Sequence, residues 1–219
     1  WEDKIKSGPV PENDSTFDVI VVGGGPAGAA AASYAAMDGN KVLLLEKGSF
    51  PKDKTCGDAV GGKSLSHVEE LGVSKTLRST PHFEFDRVLF SNPSGDEFNV
   101  ELPKGDIAGY VFPRIQFDWI LFNRANELVQ RNGGNVIQNF AVKKPIYKDV
   151  QGGRDPGRKS KDRRKIIGIH GKYEDEERKF YAPLTIGAGG VYCPIANSLI
   201  QDTYGEDLVD KRKKHLGID

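Results

Sequence analysis

The chain has 219 residues and balances 31 basic against 31 acidic side chains, which excludes a dedicated nucleic-acid binder, since such proteins carry a net basic footprint. Two cysteines, Cys56 and Cys193, without a secretory segment point to a reducing compartment, and four scattered histidines give no metal-ligand spacing. No apolar run approaches the ~18 residues of a membrane span, so the expectation is a cytoplasmic protein, soluble or peripheral at a membrane.

Residues 1–16 are polar, contain Pro9 and Pro11, and read as a flexible leader. The fold is expected to begin at Phe17. Val19 to Val22 form an apolar run suited to a buried parallel strand, and Gly23, Gly25 and Gly28 then supply a G-x-G-x-x-G turn. Gly23 permits the tight turn, Gly25 lets a pyrophosphate approach the backbone, and Gly28 lets the next helix pack close to the strand. That helix opens with Pro26 and Ala27 and is rich in alanine, a strong helix former. Its N-terminus offers N–H groups and a positive dipole end to phosphate. Gly39 ends the helix, Lys41 to Leu45 make a second strand, and Glu46 and Lys47 follow. Glu46 stands close to the roughly 20 residues beyond the turn at which an acid hydrogen-bonds a ribose hydroxyl. An acid there repels a 2′-phosphate, so the fingerprint favours FAD or NAD over NADP.

Next comes a loop, KGSFPKDKTCGDAVGGKS, around Cys56, then a helical stretch near Leu65 to Leu71 ending at Gly72. Phe83 to Leu102 reads as a hairpin, with FEFDRVLF and EFNVEL flanking the turn signal NPSGD. Tyr110 to Pro113 is a further strand. RIQFDWILFNRANELVQRNGG then keeps a helical period up to a double-glycine stop. Val136 to Val142, Ile146 to Val150, Ile166 to Tyr173 and Lys179 to Ile186 read as strands. The basic stretch 152–165 is either a solvated hairpin tip or a contact for anionic lipid headgroups or an acidic partner, and Lys211 to Lys214 carries the same two readings.

Together the Gly23–Glu46 fingerprint, the loop residues Pro51, Lys54, Cys56 and Gly57, the segment PRIQFDWILFNRA around Arg114, and TIGAGGVYCPIAN resemble the geranylgeranyl reductase family of FAD-dependent oxidoreductases. The resemblance spans most of residues 17–200 and extends to the wider group shaped like p-hydroxybenzoate hydroxylase. It implies an α/β fold: a Rossmann-like FAD-binding domain with a parallel sheet and a β-hairpin crossover, and an inserted β-sheet that roofs a substrate pocket. On that plan residues 17–80 and 104–200 form the FAD-binding domain and 81–103 begin the insertion. Residues 201–219 are a tail or the start of a further portion. The family's Gly-Asp segment beyond this point is absent, so the chain is expected to be the N-terminal part of a longer protein.

The resemblance further implies reduction of isolated C=C bonds in a prenyl lipid or prenyl diphosphate. With one nucleotide fingerprint, NAD(P)H would dock transiently or a ferredoxin would supply the electrons. An FAD monooxygenase or halogenase, or an FAD-binding module without turnover, remain as alternatives. Gly23, Gly25, Pro26, Ala27, Gly28, Glu46, Lys47, Cys56, Gly57, Arg114, Gly187 and Gly190 are the cofactor-binding candidates, and no metal ligands are expected. Cys56 is the catalytic candidate, as a proton donor beside the flavin or else as a small packing residue. Arg114 either reaches the FAD phosphates or forms a helix-start ion pair with Asp118. At the Ala188–Gly190 turn this chain departs from the family, with Gly189 where an Asp is common and Cys193 in place of a frequent Ser.

Overall fold

The computed structural model describes residues 4–56, 58–101, 107–149 and 164–204. Strand β1, Val19–Val22, is buried along its whole length, and helix α1, Pro26–Met37, returns the chain to β2, Val42–Leu45, which is equally buried. A short strand β3, Ala59–Gly61, and helices α2, Lys63–Glu70, and α3, Ser74–Arg78, follow. Then come β4, Phe83–Phe85, the hairpin strands β5, Arg87–Ser91, and β6, Glu97–Glu101, and β7, Gly109–Val111. The long helix α4, Arg114–Arg131, leads to β8, Asn135–Ile137, and then to β9, Phe140–Asp149, β10, Arg164–Tyr173, and β11, Glu176–Tyr181. β12, Leu184–Gly187, a 3-10 turn, Gly190–Tyr192, and α5, Pro194–Tyr204, follow as the last elements among the described residues.

The main sheet is parallel, in the order β12-β1-β2-β8, with Val19 to Val22 in register with Leu184 to Gly187 on one side and Val42 to Leu45 on the other. Alternation sends its side chains to two cores. Val19, Val21, Val42, Leu44 and Val136 pack with α1 and α4, whereas Ile20, Val22, Leu43, Leu45 and Ile137 pack with Phe140, Ile169 and Phe180 of the antiparallel sheet β11-β10-β9. The result is three layers: helices, parallel sheet, antiparallel sheet. On α4, Phe117, Ile120, Leu121, Ala125, Leu128 and Val129 repeat at helical spacing and are buried. Each such side chain contributes about 1.5–3 kcal/mol on burial.

The α/β class and the parallel sheet expected from sequence are present, and several boundaries differ. The run Val136 to Val142 is two strands, because Asn139 adopts φ 59° and breaks the extended chain between β8 and β9. β9 continues through Pro145, joining two predicted strands; it lies at the edge of its sheet, where a proline costs no ladder bond. Lys179 to Ile186 also divides, into β11 and β12. Asp86 separates β4 from the hairpin: β4 pairs with β7 in a sheet ordered β3-β7-β4, so that sheet draws strands from both sides of the boundaries read at residues 80 and 104.

Residues 4–16 are not a free leader. Ile5 is buried, Gly8 N–H donates to Val136 C=O (3.1 Å), Gln138 Nε2 donates to Ile5 C=O (2.7 Å), and Asp14 N–H donates to Lys179 C=O (2.9 Å). Residues 201–204, read as tail, are the last turn of α5. Most of the basic stretch 152–165, and Lys211 to Lys214, lie outside the described residues.

Candidate cofactor site

A cleft of about 640 Å³ opens at the carboxyl ends of β1, β2 and β12, where Val22, Leu45 and Gly187 are its floor. Ligands of open α/β sheets sit at this end of the strands, and the volume falls in the range of ordinary small-molecule sites. Gly23, Gly25, Pro26, Ala27, Glu46, Lys47, Arg114, Gly187 and Gly190 line it, as do Lys52, Lys54, Asp118, Phe140, Val142, Gly189 and Tyr192.

The three glycines of the turn have separable physical roles. Gly23, at φ 109°, packs against the second turn: an added Cβ would lie 2.5 Å from Ala188 C=O. A Cβ on Gly28 would lie 1.7 Å from Gly23 C=O, so only glycine lets α1 close on β1; Gly28 therefore sits beneath the cleft and supports it. Gly25 is the residue before α1, and a Cβ there meets nothing within 4 Å. The open space above Gly25 adjoins a helix N-terminus with no acid in its first turn, which leaves the helix's positive end for an anion.

Glu46 fixes the turn from the other side. Its Oε2 accepts Gly24 N–H (2.7 Å), its Oε1 accepts Gly48 N–H (2.8 Å), and Lys52 Nζ donates to the same Oε1. Burial opposes the charge on Glu46, but the Lys52 hydrogen bond and the two N–H groups outweigh it and hold the carboxyl below its ordinary range. A carboxylate has about four lone-pair sites, so those hydrogen bonds leave capacity for a ribose hydroxyl. Lys52 was missed in the sequence because the acid and its partner stand six residues apart in a loop, where no periodicity signals a contact.

Arg114 forms the helix-start ion pair read from its spacing to Asp118. Nε and Nη2 donate to the two carboxylate oxygens of Asp118 at 2.8 and 2.7 Å, a bidentate pair in which both side chains are largely buried, while the guanidinium also lines the cleft. Asp118 raises the Arg114 pKa above its ordinary value despite desolvation. Cys56 is exposed and does not line the cleft, but it lies against Arg114. The Asp58 N–H first, and the Arg114 side chain second, lower its thiol pKa from the ordinary value. Gly57 lies outside the described residues.

At the second turn, Ala188 N–H donates to Val22 C=O (2.8 Å) and Cys193 N–H to Gly190 C=O (3.0 Å). Cys193 is 1 % exposed, and Cβ atoms added at Gly187 or Gly189 would come within 3.2 and 3.3 Å of its Sγ. The two departures noted in the sequence thus pack against each other. Lys47, Lys52, Lys54 and Arg114 bring four cations to the cleft against two carboxylates, Glu46 and Asp118. An open glycine cradle, a helix N-terminus and a cationic rim fit a dinucleotide pyrophosphate.

Residues 18–51 match the family described as FAD dependent oxidoreductase. The chain is 32% identical over 126 residues to a menaquinone reductase of Mycobacterium tuberculosis, covering 57% of this chain and 29% of that protein. It is 32% identical over 183 residues to digeranylgeranylglycerophospholipid reductase 1 of Methanopyrus kandleri, covering 83% of this chain and 42% of that protein. Among solved structures, a myxobacterial chondrochloren halogenase superposes with a TM-score of 0.64 at 22% identity, covering 83% of this chain and 39% of that one, a likeness of fold. The chain thus spans less than half the length of these relatives. The glycine fingerprint thus matches the FAD-dependent oxidoreductases, and the fold is shared with a halogenase of known structure. Within that class, the digeranylgeranylglycerophospholipid reductase matches support membership of the geranylgeranyl reductase family.

Proposed function

We propose that this chain is the FAD-holding part of an enzyme that reduces isolated C=C bonds in a polyprenyl chain. The observation that carries the reading is the 32% identity to a digeranylgeranylglycerophospholipid reductase across 83% of this chain. The N-terminus of α1 and the space above Gly25 bind the pyrophosphate, Glu46 orients the adenosine ribose, and Arg114 holds its fork toward the cleft on the Asp118 carboxylate. Reduced flavin, when bound, supplies a hydride to one alkene carbon. Cys56 Sγ gives a proton to the other carbon, and the thiolate, exposed at the loop surface, regains a proton from water. The Asp58 N–H and Arg114 stabilise the thiolate left when the proton is given, until water reprotonates it.

The apolar side chains Val88, Phe90, Phe98 and Val100 share one face of the β5–β6 hairpin and are exposed. In this reading they begin the roof of the prenyl pocket. The substrate is a prenyl lipid or prenyl diphosphate, with electrons from NAD(P)H or a ferredoxin, and the enzyme works in the cytoplasm, at a membrane surface. Among the described residues no helix is long and apolar enough to cross a membrane.

A monooxygenase or halogenase on the same scaffold is the second reading, favoured by the shared halogenase fold. The protein carrying this chain, loaded with FAD and reduced under anaerobic conditions, separates the two. Addition of a digeranylgeranyl lipid is expected to reoxidise the flavin and add two hydrogens per bond to the lipid. Reoxidation only on admitting oxygen would overturn the reductase reading.

A further inference from the structure

The outward face of the antiparallel sheet concentrates positive charge in a chain whose net charge is zero. Its inward face is fixed by Phe140, Ile169 and Phe180 in the core. Strand alternation and the observed register put Lys144, Ile146 and Lys148 of β9, Lys165, His170 and Lys172 of β10, and Lys179 and Tyr181 of β11 on the opposite side. His170 stands between Lys144 and Lys179 as direct cross-strand partner of both, and Lys148 stands opposite Lys165. Like charges placed directly opposite destabilise a sheet, so the Lys148–Lys165 pair carries an electrostatic cost. Glu177 is held by Lys143 (2.6 Å) and His170 (2.7 Å), and Asp175 by Lys172 (3.1 Å). Lys144, Lys148, Lys165 and Lys179 are exposed and have no carboxylate partner among the described residues.

We propose that this face docks the protein on a membrane surface of anionic phospholipid headgroups. Charge complementarity selects the occupant, and shape agrees with it. The face is an open sheet surface crossed by a groove lined in part by Lys144, Ile146, His170, Lys179 and Tyr181, which suits a planar array of phosphates. Ile146 and Tyr181 sit among the cations, and tyrosine is suited to the boundary between headgroup and acyl chain. β9 joins this face to the cofactor cleft: Phe140 and Val142 line the cleft, and Lys144 begins the cationic row on the same strand. Docking here is independent of which reaction the cofactor performs.

The test is co-sedimentation of the full chain with vesicles of phosphatidylcholine alone and of phosphatidylcholine mixed with phosphatidylglycerol. The parent chain is expected to bind the anionic vesicles selectively, with binding lost at high salt. Each lysine at the surface is expected to strengthen binding about fivefold, so K144Q/K148Q/K165Q/K179Q lowers it by more than about 100-fold. The matching arginine variant, K144R/K148R/K165R/K179R, restores it. K63Q/K75Q/R78Q, on α2 and α3, leaves it unchanged. Equal binding to both vesicle types, no binding to either, or equal loss in the α2–α3 variant overturns the assignment. So does release by inorganic phosphate at an ionic strength where chloride does not release, which identifies a free-phosphate site.

Discussion

Gly25→Ala and Gly28→Ala differ by one methyl at positions three residues apart, and the structure separates their effects. At Gly28 the new Cβ would fall 1.7 Å from Gly23 C=O, a backbone atom that no rotamer change can move. Relief requires α1 to lift from β1, and overpacking of this kind costs about 1–3 kcal/mol or more. At Gly25 the backbone is at φ −65°, an ordinary conformation for alanine, and the methyl meets nothing within 4 Å. Replacing glycine here restricts the unfolded chain, a gain of about 0.4–1 kcal/mol, offset by the weaker capping preference of alanine, so stability stays within about 1 kcal/mol. That methyl occupies the space in which the pyrophosphate approaches the helix N-terminus. Loss of one hydrogen bond to a charged group costs about 1.5–3 kcal/mol, which is roughly 10- to 100-fold in FAD affinity. Urea unfolding and titration with FAD read the two quantities separately. Gly25→Ala is expected to fold as the parent does and bind FAD weakly, whereas Gly28→Ala unfolds at lower urea. A Gly25→Ala protein that binds FAD with parental affinity would refute the placing of the pyrophosphate.

Three further outcomes follow from the site. Despite burial, Lys52 and the Gly48 and Gly24 N–H groups hold the folded Glu46 carboxyl below its ordinary range, so its charge contributes stability that is complete above the unfolded value and lost as pH falls through the folded one; urea unfolding against pH should show that acid-side loss in the parent and a smaller one in Glu46→Gln. Asp118→Ala leaves the largely buried Arg114 guanidinium unpaired and should cost about 3–5 kcal/mol in urea unfolding, while a loss below about 1 kcal/mol, typical of a surface pair, would contradict the burial. Iodoacetamide followed by mass spectrometry should label Cys56 and spare Cys193, which is 1 % exposed. The midpoint of the Cys56 rate against pH should lie below that of an ordinary thiol, and Arg114→Met should move it upward.

The sequence was most legible where local periodicity and glycine chemistry coincide. β1, the turn, α1, β2 and Glu46 could be read almost residue by residue, because each glycine has one geometric reason to be there. α4 followed from its apolar spacing, and the β5–β6 hairpin from NPSGD. Boundaries failed where a single backbone angle decides them, as at Asn139, or where tertiary position overrides propensity, as at Pro145 on an edge strand. The docking of residues 4–16 was hidden because it rests on backbone hydrogen bonds to distant strands. In the site, the Arg114–Asp118 pair was visible at helical spacing, whereas Lys52 and the packing of Cys193 under Gly187 and Gly189 depend on loops brought together by the fold.

Titration of the purified chain with FAD measures the central claim directly. The cleft at Gly25, Glu46 and Arg114 predicts one FAD per chain, with binding weakened by Gly25→Ala and with NADP bound far more weakly, because Glu46 opposes a 2′-phosphate. A chain that folds yet binds no FAD, or that binds NADP as tightly as FAD, would contradict it.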